Sequence, residues 1–207
     1  MLMELAGRWR ALVGLLGKAD YLAPLALRLY LAPVFWVAGL NKVEGFGSVV
    51  EWFGNADWGL GLPVPALLAG LATAAEVGGG VMLLLGLGVR LIVLPLMVTM
   101  IVAAVSVHWD NGWQAVHDLQ SPFASAHVLG IEADDASAAI ERLGRARQIL
   151  REHEDYEWLT QQGNFVISNS GIEWAATYFV MLLALLFAGG GRYFSIDYWL
   201  ARRWRAA

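Results

Sequence analysis

The chain has no cysteine among its 207 residues. That excludes disulfides, thiolate nucleophiles, iron–sulfur ligation and zinc–thiolate sites, so any chemistry must use other groups. Charge is scarce too: Asp, Glu, Lys and Arg make up 15% of the residues against 58% that are apolar. A soluble domain carries more of the first and less of the second, so the composition indicates an integral membrane protein. Basic residues are outnumbered 14 to 18, which leaves no polybasic footprint and argues against nucleic acid as a partner. What the chain has in excess is tryptophan, ten residues, and the expected use of these amphipathic rings is anchoring at the membrane–water interface.

A bilayer span needs about 20 mostly apolar residues. Four stretches approach that length: 21–41, 63–87, 91–107 and 171–188. Gly88 and Arg90 separate the second from the third so tightly that the two are expected to form an antiparallel hairpin. Pro24, Pro33 and Pro95 are expected to kink their helices without cancelling them, since neighbouring helices can satisfy the freed carbonyls. The expected fold class is all-α: a four-transmembrane-helix bundle with an extracytoplasmic amphipathic helix between spans 3 and 4. Residues 1–20 read as an interfacial helix, 21–191 as the membrane domain with an outer insertion at 108–170, and 192–207 as an interfacial tail.

Lys and Arg accumulate on the cytoplasmic side of a membrane, which orients the bundle. With both termini cytoplasmic, the inner segments hold eight basic against three acidic residues, and the outer segments five against thirteen. Trp52, Trp58, Trp109, Trp113, Trp158 and Trp174 then form an outer belt, and Trp9, Trp199 and Trp204 an inner one. The loop at 44–62 is Gly- and Trp-rich, an interfacial connector or a lid over the bundle mouth. The insertion carries an amphipathic helix expected over 136–162, with Ala139, Leu143, Ala146 and Leu150 at helical spacing and Asp134 or Asp135 as its cap. Its acidic end, Glu152 to Glu157, is a solvated face or a docking surface for a protein partner.

Ionisable groups inside spans are costly unless paired, so each is a candidate for function. Counting inward from the expected outer mouths at 1.5 Å per residue puts Arg28 and Glu76 both roughly 20 Å deep. Equal depth predicts an ion pair, either a staple of helix register or a substrate or proton group. A second polar layer is expected at the outer mouth, from Asn41, Lys42, His108, Asn169 and Glu173. It can bind an anion, shuttle protons or polarise a quinone carbonyl, or simply cap helix ends. His108, His117 and His127 offer nitrogen ligands for a metal, although their spacing matches no short chelating motif. Met82, Met97 and Met100 read as packing ahead of copper ligation.

The run Arg28-Leu-Tyr-Leu-Ala-Pro-Val-Phe-Trp-Val-Ala-Gly39-Leu-Asn-Lys42 resembles the opening helix of DoxX family membrane proteins. Ala75-Glu76-Val-Gly-Gly with Gly86-Leu-Gly-Val-Arg90 resembles the family's second helix, and Gly189-Gly-Gly-Arg-Tyr-Phe-Ser195-Ile-Asp197 its closing motif. The outer stretches Val50-Glu-Trp-Phe-Gly-Asn, Val107-His-Trp-Asp-Asn-Gly-Trp113 and Tyr156-Glu-Trp-Leu…Gly163-Asn-Phe are similar to the HvfX branch. The broad resemblance implies a four-helix fold in a bacterial inner membrane, with some members linked to thiosulfate oxidation or quinone reduction. The narrower one implies an accessory role in maturing small copper-binding, ribosomally made peptides. Three functions follow as expectations: that accessory role, a quinone-linked oxidoreductase subunit with its headgroup site at the outer mouth, and a small transporter that must form a homo-oligomer to enclose a path. Quinone and copper are the cofactors at issue.

Overall fold

Long apolar runs without period-two alternation favour helices, and in the computed structural model the regular elements are helical. It describes residues 2–117 and 136–205, and among them the extended structure is limited to one isolated antiparallel bridge between Val116 and Ser168. In order, the helices are α1 (Leu2–Lys18), α2 (Leu22–Glu44), α3 (Phe46–Gly54), α4 (Pro65–Leu85), α5 (Val89–Ala103), α6 (Ala136–His153), α7 (Tyr156–Leu159), α8 (Glu173–Ala188) and α9 (Ile196–Trp204). Pro33 and Pro95 lie inside α2 and α5 and interrupt neither.

Three helical segments among the described residues are long and apolar enough to cross a membrane: Leu5–Glu44, Pro65–Leu85 and Val89–Asn111. The stretch expected as a fourth span is apolar but shorter. Its helix, α8, has 16 residues and rises about 24 Å, less than the ~30 Å hydrocarbon core. Both limits have local causes. Gly189, with φ 74°, and Gly191, with φ 81°, end the helix, and the residues just before Glu173 are committed to pairing with 112–117. The amphipathic helix of the insertion also differs from expectation: α6 stops at His153 rather than running to 162. Asp155 accepts a hydrogen bond from Trp158 N and starts α7 as its N-cap, a local bond that competes with helix continuation. The caps expected at Asp134 or Asp135 lie outside the described residues.

The chain divides into two compact units, residues 1–99 with 178–207, and residues 100–177. In the first, α2 and α4 approach closely because small residues line their contact. A β-carbon on Gly39 would stand 2.8 Å from the backbone nitrogen of Val77, and one on Gly80 2.9 Å from that of Trp36. With no hydrophobic force between helices in lipid, such close backbone packing is what holds a pair together. Leu31, Phe35, Leu83, Val89, Val93, Leu96, Leu182 and Leu185 complete the buried core. The 44–62 loop contains α3, with Phe53 buried and Gly54 against Pro65 at the start of α4. In the second unit, α5 winds on through a π turn (Ala104–His108) and a 3-10 turn (Trp109–Asn111). The chain then pairs antiparallel with 167–173, through His117 N to Ile167 O, Asn169 N to Ala115 O and Glu173 N to Trp113 O.

Candidate functional site

Arg28 and Glu76 do not form the ion pair that equal depth predicts. Arg28, 0% exposed on the second turn of α2, donates from Nη1 to Leu83 O at 3.0 Å and from Nη2 to Phe194 O at 2.7 Å. Its Nε has no acceptor among the described residues. Seven residues separate Leu83 from Glu76, about 10 Å along α4. The depth count assumed level helix mouths, whereas the register of α2 on α4 is set by Gly39 and Gly80 and sets Gly39 beside Val77.

Glu76 pairs instead with Lys42. Its carboxylate is nearly buried, at 5% side-chain exposure, and accepts from Lys42 Nζ at 2.6 Å, while Lys42 is 28% exposed. Lys42 was expected in an outer polar layer, about 20 Å beyond the level of the carboxylate. The register that sets Gly39 against the backbone of Glu76 and Val77 leaves Lys42, three residues on, within one turn of the carboxylate, and its side chain leans back to meet it. Thr73, one turn before Glu76, turns its hydroxyl onto Ala69 O at 2.7 Å, which leaves Lys42 as the partner of the carboxylate.

Of the other outer-layer residues, three come together in the second unit. His108 Nδ1 bonds Ser170 O. A carbonyl only accepts, so Nδ1 carries a proton and donates. Asn169 Nδ2 donates to Asn111 O, and Glu173 Oε2 accepts from Ala115 N at 3.0 Å. Asn111 Nδ2 also donates to Ser170 O, at 3.3 Å. The cluster holds two departures from regular backbone, the π turn ending at His108 and Ser170 at φ 53°. Asn41 lies exposed on α2, and its carbonyl accepts from Gly45 N. Among the described residues no three His, Asp or Glu side chains gather to hold a metal. The Nδ1 of His117 is buried there without a partner, and His127 lies outside the described residues.

A further constellation escaped the reading of single residues. Asp197 caps the start of α5, taking Gly88 N at 2.6 Å and Val89 N at 3.0 Å, where a carboxylate also meets the positive end of the helix dipole. Ser195 Oγ donates to Gly86 O at 2.9 Å, and Asp197 N to the same carbonyl at 3.0 Å. Together with Arg28 on Phe194 O, these bonds lock the 86–90 turn, α2 and the 194–197 segment. The signal was present as two spaced motifs, Gly86-x-Gly88 and Ser195-x-Asp197, but nothing in one sequence says that they touch.

With this geometry in hand, comparison with known proteins bears on both clusters. The DoxX family model matches residues 23–109, a range that includes Arg28, Lys42, Glu76 and His108 and ends before most of the insertion. A Bacillus subtilis (strain 168) protein named "Putative oxidoreductase CatD" is 30% identical over 92 residues, which is 44% of this chain and 64% of that protein. The match thus spans less than two thirds of that relative's length. No solved structure matches. Residues 23–109 are therefore similar to the DoxX family domain, in a chain whose described residues include three helical segments long and apolar enough to cross a membrane.

Proposed function

We propose that this protein is a DoxX-type subunit of a quinone-linked membrane oxidoreductase, and that Lys42 and Glu76 meet the quinone headgroup. The observation that carries the reading is the 2.6 Å pair between a nearly buried carboxylate and a part-exposed ammonium on apolar helices, a placement that is rare without a function. The ammonium has three N–H donors and spends one on Glu76, so two remain for a quinone carbonyl. Reduction of a quinone to a quinol takes up two electrons and two protons. Lys42 lowers the cost of charge building on one carbonyl oxygen and gives it a proton, Glu76 relays a replacement proton from water to the Lys42 amine, and the second oxygen takes its proton from water. The electrons come from a separate redox protein. The name of the Bacillus relative supports the reaction class. The test is quinone titration of the purified protein: Glu76→Gln and Lys42→Met should each weaken quinone binding at least tenfold while the helical circular dichroism persists. Unchanged titration in both would discard the reading.

A second reading retains an accessory role in copper-peptide maturation, with the insertion as the docking surface. It is supported by the stretch that carries the narrower resemblance, 107–113, which is held in a bonded clasp with 169–173. Co-purification of a small Cys-rich precursor peptide tests it, and its loss on replacing 136–159 by a short linker is the expected result. We propose further that the protein lies in a bacterial inner membrane with both termini cytoplasmic, a topology that the basic bias of the inner segments supports. The cysteine-free chain makes that testable: Lys18→Cys should react with an impermeant maleimide only from the cytoplasmic face, and Ile149→Cys only from the other.

A further inference from the structure

A cleft of about 620 Å³ opens within the first unit where the 188–192 loop meets the start of α5 and the turn between α1 and α2. That lies inside the roughly 300–1,000 Å³ range of ligand sites. Its charges are unequal in their commitments. Asp197 gives both oxygens to the Gly88 and Val89 amides, and Asp20 is taken by Arg192. Arg90 meets no carboxylate among the described residues; it spends one N–H on Phe187 O at 3.0 Å, and four donors of its fork remain. Beside it, the Gly190 and Gly191 amides find no acceptor among the described residues. Gly189 and Gly191 adopt positive φ angles, and backbone that alternates into this region is the kind that can gather successive amides around an anion. A β-carbon on Gly190 would collide with Ser195, and one on Gly191 with Pro24, so the loop holds its shape by packing.

The surroundings select among anions. Leu91 lines the cleft and is 74% exposed, and Phe187, whose carbonyl holds Arg90, is 75% exposed. Leu94, one turn further along α5, is exposed as well. Tyr198 of α9 also lines the cleft and supplies an aromatic ring of the kind found at membrane interfaces. A free phosphate leaves this apolar track uncovered, whereas a molecule with an anionic head and long apolar tails covers it. We propose that the cleft binds the phosphate headgroup of an anionic phospholipid, held by Arg90 and the Gly190 and Gly191 amides, with the acyl chains lying along Leu91, Leu94 and Phe187.

The test uses the full chain in detergent, titrated with phosphatidylglycerol or with phosphatidylcholine of the same acyl chains, reading thermal unfolding and retained lipid by native mass spectrometry. Phosphatidylglycerol should be retained and should raise the melting temperature, and phosphatidylcholine should do neither. Arg90→Glu should raise the phosphatidylglycerol concentration for half effect about tenfold, the loss of one charge-assisted contact, with Arg90→Lys in between. Should Arg90→Glu fail to fold, Leu91→Ser decides: weaker retention supports the site, and unchanged retention removes it. Equal effects of the two lipids overturn the proposal. So does a full effect from glycerol 3-phosphate, which has the head without the tails.

Discussion

Helix α2 carries two cations fourteen residues apart, and the chain treats them in opposite ways. Arg28 is sealed in the core and spends its fork on backbone carbonyls of α4 and the 194 segment. Lys42, about 21 Å further along, keeps partial exposure and pairs with a carboxylate. A planar guanidinium that reaches two carbonyls at once suits a joint. An ammonium with spare donors beside a buried acid suits proton chemistry. The contrast says that a charge inside a membrane protein is not by itself a functional mark; what it is bonded to, and what it has left over, decides.

The largest effect expected is on the first of these cations. Arg28→Met leaves Leu83 O and Phe194 O without their charged donor, and at roughly 1.5–3 kcal/mol for each bond to a charged group the loss should be about 3–6 kcal/mol. Thermal unfolding in detergent measures it. Arg28→Lys should recover less than half, because one ammonium cannot span two carbonyls on separate segments. Full recovery by lysine would mean that charge alone matters, and the distinction from Lys42 would collapse.

A double-mutant cycle comes next. Lys42→Met and Glu76→Gln should be coupled by about 1–3 kcal/mol, since each single change strands the partner, while Arg28→Met and Glu76→Gln should add within roughly 0.5 kcal/mol. Coupling in the second cycle would restore the pairing that helix depth suggests. Smaller again is Asp197→Asn, which keeps the shape of the side chain but turns an amide NH2 toward one of two backbone N–H groups. A loss of about 1 kcal/mol is expected from this half-removed cap, with quinone titration unchanged.

How far the sequence could be read follows the same line between local and non-local information. Apolar runs foretold α2, α4 and α5, because span length depends only on neighbours in sequence. The identities of the ionisable residues were legible too: Arg28, Lys42, Glu76 and His108 all turned out to be bonded side chains. Their partners were not, since partner choice depends on how one helix slides along another. Gly39 and Gly80 fix that slide, and each reads in sequence only as a small residue. The early stop of α6 at His153 was locally encoded, as Asp155 two residues on is a strong cap, yet the apolar spacing through Leu150 outweighed it. The 86–90 turn and the 194–197 segment are 109 residues apart at their Ser195–Gly86 bond, beyond the reach of any pattern in a window.

The smallest effect expected belongs to a pair that resembles Lys42 and Glu76 in chemistry and differs in setting. Arg192 donates to Asp20, with side-chain exposures of 41% and 56%, and also donates to Gly17 O at 2.8 Å. Water competes for each of these groups and salt screens them, so exposed pairs contribute little. Arg192→Ala should leave the melting temperature unchanged within error. The hydrogen bond that Arg192 donates to Asp20 raises its affinity for its proton, burial opposes this, and the nearby Asp20 charge adds to it. A raised folded-state value means that the contribution is complete below the unfolded value and is lost only as pH rises through the folded one, far into alkali. Stability traceable to Arg192 should therefore be flat across neutral pH. What should change is local: the Gly17 tether of α1 is released, so limited proteolysis after Lys18 should quicken. A drop in melting temperature as large as that of Lys42→Met would show that exposure does not separate the two pairs, and that the weight placed on the buried carboxylate of Glu76 is misplaced.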